Sequence, residues 1–271
     1  FSSGKSFKSS NLAALVKYNR SKFLLSGYDG TRGDVIEIEK DINKPIHVLL
    51  NNKKIPSSRL LKKLPCTPIH NSTFSFANAA PDFRRKLLDR SIAISEEPFM
   101  ANWFAYYKSL KQRNSLLKNN RISDIYAWNI KLSDYGNIIT KSRETFFNQT
   151  LKHFKIILSL INAVDVFDFL DHIEIEFFNG WSNQKTLLHT LEENIDSDTR
   201  RKTTLHGPHK SDIKFFINGI DAKQVLSRGE QKFFSILWSC AQNEVLKNVY
   251  DIDPILIIDD IKSELDDRVY N

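Results

Sequence analysis

Near the end of the chain stands the run Pro254-Ile255-Leu256-Ile257-Ile258-Asp259-Asp260, and few folds can accommodate it. Four consecutive aliphatic residues leave no polar face, so a strand here is expected to be covered on both sides, as in a parallel sheet flanked by helices. The expected fold class is therefore α/β. In such sheets ligands gather beyond the C-terminal ends of the strands, where Asp259 and Asp260 would stand. Two carboxylates there can hold Mg²⁺, mostly through water as that ion prefers, and orient a water toward a phosphate. A strand leaving the core into a polar turn has the same pattern, and the run alone leaves both open.

Upstream lies VLSRGEQKFFSILWSCAQNEVL. Ser227 followed three residues later by Glu230 is a capping-box pattern, and Phe234, Leu237, Ala241 and Val245 repeat at helical spacing. A helix is predicted to start at Ser227, with Gly229 in its first turn. Helix starts present unpaired N–H groups and the positive end of the dipole, and a glycine there lets an anion approach the backbone. An ordinary capped amphipathic helix accounts for the same residues, and the aromatic stripe is core in either case.

Elsewhere the pattern alternates in character. FLLSGY, VIEIE and PIHVLLNN read as short strands separated by Asp29-Gly30 and, after the third, Asn51-Asn52, an antiparallel β piece. KIPSSRLLKKLPCTPIHNSTFSFANAAPDF is rich in breakers and reads as loops with one strand around Phe74. From Pro81 the text turns helical, through FMANWFAYYKSLKQRNSLLKNN and a second proline-free stretch from Ser123, which predicts two or more long helices packed as an antiparallel arm. IEIEFFNGW and IKFFINGI read as strands, the latter closing through Asn218-Gly219. The expected division is 1–98, 99–170 (the arm) and 171–271.

The 271 residues are 41% hydrophobic with only nine glycines and eight prolines, which argues for a packed protein. The formal charge of +7 is uneven. Residues 1–90 hold 17 Lys and Arg against 7 Asp and Glu, a balance of +10, while 91–271 hold 22 against 25, or −3. Such a field favours a polyanionic partner but is also ordinary for a surface. Cys66 and Cys240 lie too far apart in sequence to suggest a disulfide scaffold or metal knuckle, and a reducing cytoplasm fits best. No apolar run nears the roughly 20 residues that span a bilayer, and FSSGKSFKSS lacks the apolar core of a signal peptide. Phe1 is not an initiator and Met100 is the sole methionine, so the natural N-terminus is expected upstream.

Taken together, the phosphate-binding helix start, the amphipathic helix, the strand ending in Asp259-Asp260 and the subsequent Ser263-Glu264-Leu265-Asp266 resemble the signature motif, Walker B and D-loop of ABC-type ATPases. GKSFK, YKSLKQRNSLLK, HGPHKSDI and the pairing of LSRGEQK with IIDDIKSELD narrow this: from Gly4 to Asp266 the chain resembles the RecF family of DNA-repair ATPases. The resemblance implies an ABC-type P-loop ATPase head, a mixed β-sheet with helices, carrying an inserted antiparallel helical arm.

It also implies roles. In that family two heads dimerise around ATP, and the signature of one reaches the γ-phosphate held by the other. Ser227 and Gly229 would make that contact, with Arg228, Glu230 and Gln231 shaping the loop. Asp259 would support Mg²⁺, Asp260 would polarise the attacking water, and Ser263 and Asp266 would meet the partner head. Arg84, Arg85, Lys86, Lys111, Arg113 and Lys210 would contact DNA phosphates without reading bases. The implied protein is a weak, DNA-stimulated ATPase of repair, replication and the SOS response, an ATP-driven dimeric clamp at gapped DNA or single-strand/duplex junctions. It would act with RecR, and functionally with RecO, in loading RecA.

Two departures stand out. No G-x-x-x-x-G-K-[ST] phosphate loop occurs; Gly4-Lys5-Ser6 imitates only its end, which places the loop before Phe1 and leaves this chain alone inactive. FSFANAAPDFRRK also looks shorter than its counterpart. His206, His209 and Asp212 are poor metal candidates, because a glycine-proline turn explains their spacing. Rival expectations are a chromosome-organising ABC-type ATPase, whose arms would be far longer than 99–170, and a non-enzymatic DNA-binding scaffold.

Overall fold

Alternation of apolar and polar residues builds the first sheet. The computed structural model describes residues 11–70, 76–161 and 168–259. Strands β1 (Lys22–Asp29), β2 (Asp34–Asp41), β3 (His47–Leu50) and β4 (Lys53–Ile55) pair antiparallel in that order. Ile38 lies opposite Val48, and Val48 opposite Ile55, so one face carries an aliphatic row across three strands. That row, with Ile36 and with Leu60 of helix α1 (Ser57–Lys63), is the core of one compact unit, formed by the described residues up to 67 with 253–256. Asn51 and Asn52 both take positive φ (49° and 63°), the requirement of a type I′ hairpin turn. The Asn51 side chain donates to Asp34 Oδ1 at 2.8 Å and accepts the Val35 N–H at 2.8 Å, tying the turn to β2.

Residues 53–69 depart from the expected loops: they hold β4, α1 and strand β5 (Cys66–Ile69). The breakers there sit at boundaries rather than interiors. Pro56 occupies the extended cap position before α1, and Pro65 precedes β5. The strand expected around Phe74 lies outside the described residues.

The second unit, 68–252 with the described residues from 257, holds the long helices. These are α2 (Pro81–Ser95), α3 (Phe99–Lys118) and α4 (Ile125–Ile161). The stretch from Ser123 holds one 37-residue helix, the second of the two long helices of the antiparallel pair. The six residues 119–124 return the chain, so α3 and α4 pack antiparallel. α4 also packs on α8 (Arg228–Tyr250). The boundary between compact units falls at 67/68, with 253–256 joining the first. Between them lie β6 (Ile173–Phe178), α5 (Leu187–Glu193), α6 (Ile195–Arg201), β7 (Asp212–Ile217), β8 (Ile220–Asp221) and α7 (Ala222–Val225). β6, β7 and β8 form an antiparallel sheet, turned as expected at Asn218-Gly219, both at positive φ. Its core is aromatic. Trp238 of α8 meets Phe76, Phe147, Phe154, Phe215 and Phe234 at ring-centroid distances of 5.7–6.3 Å.

Three buried guanidiniums cross this unit. Arg113 is 0% exposed; it donates to Asn129 Oδ1 (2.7 Å), Asp198 Oδ2 (2.6 Å), Thr204 Oγ1 (2.7 Å) and Leu191 O (3.2 Å). Arg84 grips Asp212 through two bonds of 2.8 Å. Arg143 grips Asp89 at 2.7 and 2.8 Å and also reaches Pro208 O (2.6 Å) and Ser211 Oγ (2.9 Å). Arg84 and Arg113 were expected on a DNA-binding surface. The structure corrects both: their donors are taken by carboxylates and carbonyls inside the fold, and neither presents its charge to solvent.

The strand of the aliphatic run, β9 (Ile255–Ile258), pairs with β5. In the first unit Ile255 N–H donates to Pro65 O (2.9 Å), and in the second Asp259 N–H donates to Ile69 O (2.9 Å). Four residues separate the bonds on both strands, in the same direction, as in a parallel pair. The expected burial is absent. The four side chains are 41–51% exposed, because β5 is the only strand beside β9 among the described residues. No helix among the described residues is long and apolar enough to cross a membrane.

Arg113→Met leaves Asp198 buried without its cation and is expected to cost about 3–5 kcal/mol in urea unfolding. Lys111→Ala, two residues away on the exposed face, should change stability by less than about 0.5 kcal/mol.

Candidate functional site

The helix start at Ser227 has the predicted geometry. Glu230 N–H donates to Ser227 Oγ (3.3 Å) and Ser227 N–H donates to Glu230 Oε2 (2.7 Å), completing the capping box. Gln231 Nε2 turns back to Leu226 O (2.9 Å), bracing the approach to the helix. The box occupies the N–H groups of Ser227 and Glu230, so those of Arg228 and Gly229 are the ones it leaves open. The Ser227 hydroxyl accepts one bond and keeps its own proton to donate. Arg228 is exposed beside them. Among the described residues a Cβ built on Gly229 meets nothing within 4 Å, so their packing does not require glycine there. This end of a 23-residue helix offers two backbone donors, a hydroxyl, a guanidinium and the positive dipole end, the chemistry of an anion site.

The segment entering β7 is held hard. Gly207 N–H donates to Gly180 O (3.2 Å), and a Cβ on Gly180 would collide with Gly207 O. Arg85 donates to Ser211 O (2.6 Å), beside the Arg143 and Arg84 contacts already described. His209 Nε2 meets Thr204 O at 3.0 Å and Nδ1 meets the Tyr106 hydroxyl at 2.7 Å. A carbonyl can only accept, so Nε2 carries the proton and Nδ1 accepts from Tyr106. Burial pushes His209 down to about 4 despite the opposing Thr204 bond, with the nearby Lys210 charge adding to the fall. Burial likewise raises Tyr106. His209 is thus neutral with both nitrogens committed, and Asp212 is bound by Arg84, so neither is free to ligate a metal.

Asp259 is exposed at the end of β9. Its charge acts on His70, just past β5, whose pKa burial lowers and Asp259 raises, with a net fall. Sequence reading missed His70. It also missed Asp89 and Arg143, although Arg143 was visible as a charge on the stripe Ile139, Phe146, Thr150 that α4 buries. Asp260, Ser263 and Asp266 lie outside the described residues. Of the basic positions, Lys86, Lys111 and Lys210 are exposed, Lys86 paired with Asp82 at 2.9 Å, and Arg85 is half-buried.

No protein-family model matches the chain. It is 34% identical over 212 residues to the DNA replication and repair protein RecF of Hahella chejuensis, covering 77% of this chain and 56% of that protein. Against the RecF of Francisella tularensis (strain WY96-3418) the identity is 30% over 268 residues, covering 98% of this chain and 75% of the relative. The chain belongs to the RecF family. It spans a little over half the length of the Hahella relative it matches. Two solved structures of the recombination mediator protein RecF of the RecFOR pathway, one described as RecF-ATP, superpose with TM-scores of 0.84 and 0.82. Each covers 98% of this chain at 24% identity. The fold is accordingly that of the RecF structures.

His209 gives this chain a pH signature. Its folded pKa lies below the ordinary 6.5, so its contribution to stability is complete above about pH 6.5 and is lost as pH falls toward 4. The loss is at most about 1.4 kcal/mol per pH unit. Unfolding at pH 7 and pH 5 should show a smaller drop for His209→Gln than for wild type; equal drops would show that His209 does not titrate there.

Proposed function

We propose that this chain is the head of an ATP-dependent DNA-binding protein of recombinational repair, in which ATP joins two copies into a clamp on duplex DNA near single-strand junctions. Family membership supports the class, and the open helix start at Ser227–Gly229 is the observation that carries the nucleotide reading. Mg²⁺-ATP would supply the shared anionic triphosphate and, through its hydrolysis, the energy of release. The residues fit that group. The Arg228 and Gly229 N–H groups and the Ser227 hydroxyl would receive phosphate oxygens from a nucleotide held by the partner copy. Glu230 and Gln231 keep those donors aimed by closing the loop behind them. Asp259 would support the cation and Asp260 would polarise the attacking water on this copy's own nucleotide, and Ser263 and Asp266 would meet the partner head.

The 271 residues contain no complete phosphate loop, so we place that loop in the part of the family's length this chain does not span; the chain alone would hydrolyse no ATP. Arg85, Lys86, Lys111 and Lys210 remain as phosphate contacts on DNA. Partners in the cell would be RecR, with RecO and RecA acting in the same pathway, in the cytoplasm. The intact protein would be a weak, DNA-stimulated ATPase.

In the full-length protein, Ser227→Arg fills the anion position and should weaken ATP-induced dimerisation at least about tenfold, roughly 1.4 kcal/mol, by analytical ultracentrifugation. Unchanged dimerisation would sink the proposal. Gly229→Ala separates fold from function: it should raise stability by up to about 1 kcal/mol while lowering ATP-dependent dimerisation. For the clamp, log affinity for duplex DNA should fall linearly with log salt, and a flat response would count against phosphate contacts.

A further inference from the structure

Helix α3 contains no Asp or Glu, and every charge on its exposed face is basic. Counted from Phe104, the residues at +4, +7 and +14 are Lys108, Lys111 and Lys118, which fall within roughly 40° of it around a helix advancing about 100° per residue. All four are exposed. The stripe runs about 21 Å along the helix. None of the three lysines has a carboxylate partner among the described residues, in contrast to Lys86, which pairs with Asp82. Lys108 and Lys111 stand one turn apart, a like-charge spacing that works against the helix unless an anion answers it.

At the head of this stripe the Phe104 ring is 58% exposed. It is also braced. Phe104 meets Trp103 edge to face with ring centroids 5.4 Å apart, and Trp103 packs on Tyr107 at 4.1 Å. Trp103 Nε1 in turn donates to Asp89 Oδ2 (2.9 Å), the carboxylate that Arg143 grips. One turn before Asp89 on α2 stands Arg85, already among the phosphate contacts proposed above, so ring and cations are neighbours.

A lone exposed aromatic residue is ordinary, but one that is braced from behind and bordered by unpaired cations combines the two parts of a single-strand site. The lysines attract a phosphate backbone whether it is single or paired. The ring is selective. It can stack only on a base whose face is free, and in a duplex those faces are covered by neighbouring bases. An apolar partner would use the ring and leave three lysines unanswered, while an isologous contact with a second copy would set lysine against lysine.

We infer that Phe104 determines strand specificity: the exposed face of α3 takes single-stranded DNA, with Lys108, Lys111 and Lys118 along its phosphates and one unpaired base stacked on the Phe104 ring. This deepens the DNA reading given above and rests on it.

The test is fluorescence anisotropy of the full-length protein with oligo(dT) of about 12 nucleotides and with a blunt duplex of equal length. Phe104→Ala should weaken oligo(dT) binding about tenfold, the worth of stacking one base, and leave duplex affinity within about twofold. Phe104→Leu keeps an apolar side chain without a π face and should lose as much, whereas Phe104→Trp should bind as wild type does. Lys108→Ala should lower the salt slope of oligo(dT) binding by about 0.7, a change that Phe104→Ala does not make. Equal losses on both DNAs, no loss on oligo(dT), or affinity retained in Phe104→Leu would each overturn the inference and leave the clamp reading standing. Self-association lost in Phe104→Ala while oligo(dT) affinity holds would overturn it in favour of a second copy. If the wild-type protein bound neither DNA, the clamp reading would fall and this inference with it.

Discussion

A guanidinium enclosed by protein must meet a carboxylate, and the second unit is organised around three such meetings. Arg84 with Asp212, Arg113 with Asp198 and Arg143 with Asp89 link α2, α3 and α4 to one another and to the stretch from α6 to the start of β7. Desolvating these charges is costly, and the pairs are tolerated because nearly every donor finds an oxygen at 2.6–3.2 Å. Their contribution is directional more than energetic. A leucine in place of Arg143 would fill space, but it could not hold Asp89, Pro208 O and Ser211 Oγ in one arrangement.

The consequence of that arrangement lies just downstream, at the entry to β7. Arg143, Arg85 and Tyr106 fix residues 208–211, Arg84 fixes Asp212, and β7 begins there. A two-residue turn and the short α7 then lead to Ser227. The exposed helix start thus follows a strand whose entry is held by buried and half-buried polar groups. A site that must receive an anion benefits from such support, since donors held in place lose little freedom on binding.

Legibility in the sequence followed the distance between interacting residues. The capping box spans four residues, and the Asn51-Asn52 and Asn218-Gly219 turns two each; all three were readable because the partners sit inside one window. Arg113 and Asp198 are 85 positions apart, Arg84 and Asp212 128, and no local pattern connects them. Read locally, a basic run such as Arg84-Arg85-Lys86 is a surface, yet only Lys86 is exposed. β9 failed in the opposite sense. Its four aliphatic residues suggest a strand covered on both faces, yet among the described residues it has one neighbouring strand and its side chains are 41–51% exposed.

The glycines separate what the fold demands from what something else demands. Gly180 and Gly207 have positive φ and close neighbours: a methyl on Gly180 would collide with Gly207 O, and one on Gly207 would lie 2.8 Å from the Tyr106 hydroxyl. Their identity is explained inside the chain. Gly229 has neither constraint among the described residues, standing in a helical turn with none of them within 4 Å of where a Cβ would go. Glycine in a helix loses more conformational entropy on folding than alanine, so with respect to stability alone it is a poor choice there. A residue that the described fold does not require, at the end of a helix whose neighbouring donors its own capping box leaves open, is what the proposed anion contact at Gly229 would call for.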